Sequence, residues 1–211
     1  MPCAAPNLAL VRTRRLQCMA LLSDTSCKQI FTFPEMAKEL LCAAVEQRWA
    51  RAVPLKAFER VNASYVSATG TQRHDDLVWR LERVRNDDLY LLVEFQSRPD
   101  LLMAERMHAY TALLSEELAK QGKVQAAQIL PIVLYTGQRP WHVKTIVSTV
   151  SLLPPGLESF ESQFSYLLID VESIVDQSNI VYLLLALNQV KHPEKFRSLL
   201  EKIEPMARTS I

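Results

Sequence analysis

A mixed α/β fold follows from three features of the sequence. Residues 77–84, which alternate loosely, and 89–95, a nearly continuous apolar run, flank Arg85-Asn86-Asp87-Asp88, a sequence suited to a tight turn. A single apolar stripe (Met103, Met107, Tyr110, Leu114 and Leu118) then recurs at helical spacing. A further apolar run, residues 129–135, comes after the stripe and ends at Thr136-Gly137. Strands and helices therefore interleave, which is the pattern of a layered α/β domain.

Taken in order, residues 1–22 carry no sustained period and remain unassigned. Pro34 suits the first turn of a helix, and Met36, Leu40, Leu41, Ala44 and Val45 continue the pattern up to Trp49. Residues 61–68, rich in β-branched side chains and closed by Thr69-Gly70, predict a first strand. The turn-linked pair 77–84 and 89–95 predicts two more. Asp100 is the expected cap of the long helix, and Gly122 its left-handed stop. Strand 129–135 tolerates Pro131 only near its start or at an edge. A short strand at 166–169 precedes helices at about 179–189 and 194–203. The expected order is helix, three strands, helix, strand and a C-terminal helical appendage.

Composition bounds the chemistry. The chain has 211 residues, 49% of them apolar and 22% charged, enough for one sizeable core. Its four glycines, Gly70, Gly122, Gly137 and Gly156, are too far apart for a phosphate-cradling loop or a nucleophile elbow, so no nucleotide cofactor is expected. The 24 basic residues balance 23 acidic ones, so any nucleic-acid contact must come from a local patch. Cys3, Cys18, Cys27 and Cys42 form no CxxC pair, which argues for free thiols in a reducing compartment. The longest apolar run, residues 180–187, is too short to cross a bilayer, and the stretch after Arg12, Arg14 and Arg15 is a poor signal peptide. A cytoplasmic protein without a membrane partner is expected. Because residues 180–187 are apolar nearly all round, that helix must be buried against the core or in a second copy, and a homodimer through the C-terminal helices is one expectation.

The turn-linked strands hold the most informative residues. Asp75 and Asp76 open the first, and Glu94, Phe95 and Gln96 close the second. With the turn centred near Asn86-Asp87, antiparallel pairing sets Asp76 opposite position 96 or 97, within a residue or two. Glu94 and Gln96 share a face. Carboxylates about 4 Å apart repel by roughly 4 kcal/mol at an effective dielectric near 20. A hard divalent cation relieves that repulsion. The same residues also suit a solvated strand edge, with Glu94 paired to Arg80 or Arg98. His74 is either a proton shuttle or an exposed residue beside a turn. His142 and His192 read as loop residues, and Asp170, Glu172 and Asp176 as a solvated turn and cap.

The stretch Arg73-His74-Asp75-Asp76-Leu77-Val78-Trp79, followed by Tyr90-Leu91-Leu92-Val93-Glu94-Phe95-Gln96-Ser97-Arg98-Pro99-Asp100, resembles the recombination-promoting nucleases. These are transposase-like bacterial proteins of the PD-(D/E)XK superfamily. Ser23-Asp24 to Lys28-Gln29-Ile30-Phe31, Met103-Ala104-Glu105-Arg106 to Tyr110, Leu130 to Gly137 with Pro140-Trp141, and Tyr166 to Asp170 resemble further family segments in the same order. The resemblance implies a restriction-endonuclease-like αβββαβ core over residues 23–175, with a helical appendage at 176–211. It selects Asp76 over Asp75 as a metal ligand, with Glu94 as the second and the Phe95 backbone carbonyl completing the site. Asp76, Glu94 and Gln96 are then the catalytic centre. Mg²⁺ is the expected ion, with Mn²⁺ or Ca²⁺ as substitutes. DNA is the expected substrate, cut with low sequence specificity in recombination or transposition-like events.

Gln96 stands where many superfamily members carry Lys. It cannot supply charge, but it can orient a water or a phosphate oxygen. Arg106 or His108, early in the long helix, is the candidate cation, and Asp75 and His74 are further auxiliary candidates. RNA cleavage by the same centre is a weaker expectation. Residues 1–22 fall outside the resemblance, and many members extend past this chain's last residue. The alternative reading is therefore an inactive DNA-binding or oligomerising remnant.

Overall fold

Proline placement and apolar spacing set the first helical layer. The computed structural model describes residues 24–45, 48–61, 77–82, 88–122, 128–148, 156, 162–190 and 192–209. Helix α1 spans Asp24–Ile30, α2 Pro34–Ala44 and α3 Arg48–Ala52. Pro34 sits in the first turn of α2 after an extended Phe33, where its missing N–H is not needed. The helix expected to reach Trp49 stops at Ala44, because Val45 turns extended, and Trp49 belongs to α3. A single 3₁₀ turn, Leu55–Ala57, leads into strand β1, Phe58–Val61. That strand starts three residues before the expected 61–68, and positions 62–68 lie outside the described residues. Phe58 is buried in one core and Val61 packs against the other, as their odd spacing requires, while Glu59 and Arg60 between them are exposed.

The remaining elements are β2 (Leu77–Leu81), β3 (Leu89–Gln96), α4 (Met103–Lys120), β4 (Gln128–Tyr135), β5 (Ile146–Ser148), β6 (Gln163–Ser165), β7 (Leu167–Ile169), α5 (Ile180–Gln189) and α6 (Pro193–Thr209). The main sheet has the order β1-β2-β3-β4-β7. β1, β2 and β3 pair antiparallel, whereas β3, β4 and β7 are parallel. Strands β5 and β6, of which only Ser165 borders an expected strand, form a separate antiparallel pair. Pro131 lies inside β4, but β7 pairs only from Ile132 onward, so at Pro131 that side of β4 is locally an edge.

Alternation along the sheet strands builds two cores. Leu77, Trp79, Leu91, Val93, Phe95, Ile132 and Leu134 pack beneath α1, α2 and α5. Trp79 Nε1 donates to the Phe31 carbonyl (3.2 Å), and the Phe31 and Phe95 rings meet at 5.6 Å, which pins α1 to the sheet. On the other face Val78, Tyr90, Leu92 and Val133 meet Met103, Met107, Leu114 and Leu118 of α4. The predicted stripe of the long helix is this contact.

Helix α5 begins at the cap Asn179, whose Oδ1 accepts from Val181 N (2.8 Å). Asn179 Nδ2 donates to the Glu39 carbonyl (3.1 Å) and to Glu39 Oε2 (2.9 Å), tying α5 to α2. Val181 and Leu185 lie in the same core as the sheet, so the apolar run is buried within its own chain. Helix α6, which packs on α5, is mostly exposed. Among the described residues no helix is long and apolar enough to cross a membrane.

Candidate active site

The alternation that sends Leu91, Val93 and Phe95 to one side of β3 sends Tyr90, Leu92, Glu94 and Gln96 to the other, beneath α4. Glu94 is a carboxylate in an otherwise apolar row and only 3% exposed. Its Oε1 accepts two short hydrogen bonds, one from Gln96 Nε2 (2.6 Å) and one from Arg106 Nη2 (2.6 Å). Its Oε2 is buried and has no hydrogen-bond partner among the described residues. Arg106 extends from the second turn of α4, and its Nη1 also donates to Asp100 Oδ2 (2.6 Å). The Arg106 Nε is likewise buried without a hydrogen-bond partner among the described residues. Burial pulls the Arg106 pKa down, but its hydrogen bond to Asp100 and the charge of Glu94 outweigh it, and the guanidinium lies above the ordinary arginine value. The Tyr110 ring lies 5.8 Å below the guanidinium carbon, one helical turn further on.

The predicted residues separate into distinct groups. Glu94, Gln96 and Arg106 converge, whereas His108 lies on another side of α4 and stacks on Phe164, with centroids 4.8 Å apart. Phe95 turns its ring into the opposite core and leaves only its backbone to this face. His74, Asp75 and Asp76 lie outside the described residues. Leu77, which follows Asp76 in sequence, pairs with Val93, which precedes Glu94. The turn-centred expectation would pair Leu77 two or three residues later. The described register, Leu77 with Val93 and Leu81 with Leu89, is symmetric about position 85, ahead of Asn86-Asp87. The two alternative partners for Glu94 are not used: Arg80 pairs with Glu59 and Asp88, and the residue on Glu94 is Arg106, not Arg98.

Asp100 has a role beyond the predicted cap. The N-cap of α4 is Leu102, and Asp100 Oδ1 accepts the Leu102 N–H (3.0 Å) while Oδ2 holds Arg106. Six residues separate Asp100 from Arg106, which matches no helical pair spacing, so sequence offered no signal for this contact. The β3 and β4 ends are joined where Thr136 N donates to the Gln96 carbonyl (2.8 Å). A Cβ at Gly137 would collide with the Tyr135 ring and the Ser97 carbonyl, so only glycine lets the two turns lie side by side. Among the described residues no three acidic, histidine or cysteine side chains are placed to hold a metal ion. The unpartnered Glu94 Oε2 is nevertheless a buried anionic oxygen of the type a hard cation takes.

A family model described as "Putative transposase, YhgA-like" matches residues 23–208. The chain is also 24% identical over 125 residues to the "Recombination-promoting nuclease RpnD" of Escherichia coli O157:H7, covering 57% of this chain and 48% of that protein. The match thus spans about half the length of that relative. No solved structure matches the chain.

Proposed function

The chain belongs to the YhgA-like transposase family, and on that premise we propose that it is a divalent-metal-dependent endodeoxyribonuclease centred on Asp76, Glu94 and Gln96. The observation that carries this reading is the Glu94 carboxylate, buried, with Oε1 held by two donors and Oε2 unpartnered among the described residues. An unsatisfied buried anionic oxygen is costly unless a ligand completes it. Supporting it, the Leu77–Val93 pair joins the neighbours of Asp76 and Glu94. The formal charges of Asp76, Glu94, Asp100 and Arg106 leave two negative charges in excess, which one divalent ion cancels. Asp76, Glu94 and the Phe95 carbonyl would hold it, with Mg²⁺ first and Mn²⁺ or Ca²⁺ as substitutes. The order of helix, three antiparallel strands, helix and parallel strand is consistent with a restriction-endonuclease-like core.

A bound divalent ion supplies an acidified water and charge screening at the phosphate. The protein's own groups supply position. Gln96 holds Glu94 Oε1 and leaves its amide oxygen to orient a water proton. Arg106 fixes Glu94 and Asp100 through its two terminal nitrogens, and its open Nε is a donor for a phosphate oxygen, a cation in place of the absent Lys.

Purified protein incubated with supercoiled plasmid and Mg²⁺, Mn²⁺ or Ca²⁺ should nick it. Asp76→Ala or Glu94→Ala should abolish nicking, and Asp75→Asn should largely spare it. The second reading, an inactive DNA-binding remnant, is favoured by one fact: Arg106 and Gln96 already satisfy Oε1 without a metal. It predicts DNA binding without nicking in every sample, unaffected by those substitutions and falling steadily with salt.

A further inference from the structure

We propose that Leu101 and Leu102 form a rigid apolar wedge that enters the base stack of duplex DNA beside Glu94, an inference that rests on the nuclease reading above. Leu101 leaves 84% of its surface in water and Leu102 62%, in the turn that joins β3 to α4. The turn is fixed by several hydrogen bonds. Leu102 N donates to Asp100 Oδ1 (3.0 Å), Met103 N to the Asp100 carbonyl (3.1 Å) and Arg106 N to the Leu102 carbonyl (2.9 Å). Asp100 Oδ2 is held by the same Arg106 that holds Glu94. The leucine tip and the candidate catalytic carboxylate are therefore two ends of one bonded chain, and a base step held by one is placed relative to the other.

The surroundings identify the occupant. Arg98 is exposed three residues before Leu101, and the turn after β4, which packs against Ser97, carries exposed Arg139 and Lys144. Residues 128–148, which include this turn, contain Arg139 and Lys144 and no Asp or Glu, while the start of α4 contributes one exposed acid, Glu105. Cations beside apolar side chains suit a duplex, whose phosphates take the charge while a side chain opens a base step. A protein partner fits less well, since two leucines fall far short of the ~800 Å² per partner that a stable interface buries. The wedge also answers a problem of access: Glu94 is sunk beneath α4, and a duplex kinked at the tip can bring a phosphodiester towards it.

The test compares the full chain with its Leu101→Ser/Leu102→Ser variant, both side chains being exposed enough that folding should be unaffected. A duplex carrying several 2-aminopurines, mixed with wild type in EDTA so that no strand is cut, should brighten about threefold as bases unstack, and the variant should not brighten it. In magnesium the variant should cut fully paired duplex roughly tenfold more slowly and a bubble-containing duplex at the wild-type rate, because the bubble is already unstacked. Leu101→Met/Leu102→Met should behave as wild type. Equal brightening by wild type and serine variant, equal losses on both substrates, or a change in oligomeric state with brightening intact would overturn the wedge. Nicking by wild type without any brightening would overturn the wedge alone. A wild type that neither binds duplex nor nicks plasmid would overturn the nuclease reading and the wedge with it.

Discussion

Arg106 has 23% of its side chain exposed and Glu94 only 4%, so the two neutralise each other where water cannot. Removing the cation alone leaves a carboxylate buried beneath α4. Arg106→Met should therefore destabilise the fold by about 3 kcal/mol, the lower end for breaking a buried pair because Arg106 is partly solvated. That corresponds to a fall in melting temperature of roughly 6–12 °C for a chain of this size. Adding Glu94→Gln removes the stranded charge and should recover part of the loss, so a double-mutant cycle by thermal denaturation checks the coupling. If Arg106→Met melts like wild type, the pair contributes little and Arg106 is retained for another reason. Glu94 was legible in the sequence because a lone acid in an apolar run is conspicuous. Its partner was not, since the strand-to-helix crossing that brings Arg106 to Glu94 depends on how α4 lies across the sheet. The choice of Arg80 or Arg98 followed from proximity along the chain, whereas the sheet gives Arg80 to Glu59 and Asp88.

Elements were easier to predict than the joints between them. The strand pair, the long helix and its Gly122 stop, with φ at 68°, follow from local pattern, because period and turn chemistry are short-range. The register between β2 and β3 does not, since moving the centre of a turn by one residue moves the opposed partner by two. A second joint, between α2 and α5, yields a pH prediction. Burial is the main force raising the Glu39 pKa above its ordinary 4.5, and Asn179 reaches both the Glu39 carbonyl and its Oε2. A carboxyl whose folded pKa is raised contributes stability that is present below 4.5 and is lost as pH rises through the folded value. Glu39→Gln keeps an acceptor for Asn179 and abolishes that loss. The melting temperature of the variant relative to wild type should therefore climb between pH 4 and pH 7. A difference that stays flat with pH would mean that the Glu39 charge is not held against burial.

For the whole molecule the question is where the folding unit ends. Sequence suggested a nuclease-like unit to residue 175 and a helical appendage beyond, because the last recognisable strand stops near Asp170 and the pattern afterwards is purely helical. Packing gives α5 a different standing from α6. Val181 and Leu185 are buried with Leu40, Leu41, Val93 and Ile132, and Asn188 Nδ2 donates to the Thr136 carbonyl (2.7 Å) at the end of β4. Helix α5 thus closes one face of the sheet and supports the turn beside Gln96, whereas α6 packs mainly on α5 and leaves Leu200 42% exposed. A chain ended after Ser178 would expose that sheet face and should lose its cooperative thermal transition. A chain ended after Val190 keeps both the core and the Asn188 bond and should retain a single sharp transition at a modestly lower temperature. Circular dichroism melts of the two truncations decide it. If the shorter chain melts cooperatively, α5 is a true appendage, and the Glu94 site stands on the sheet and α4 alone.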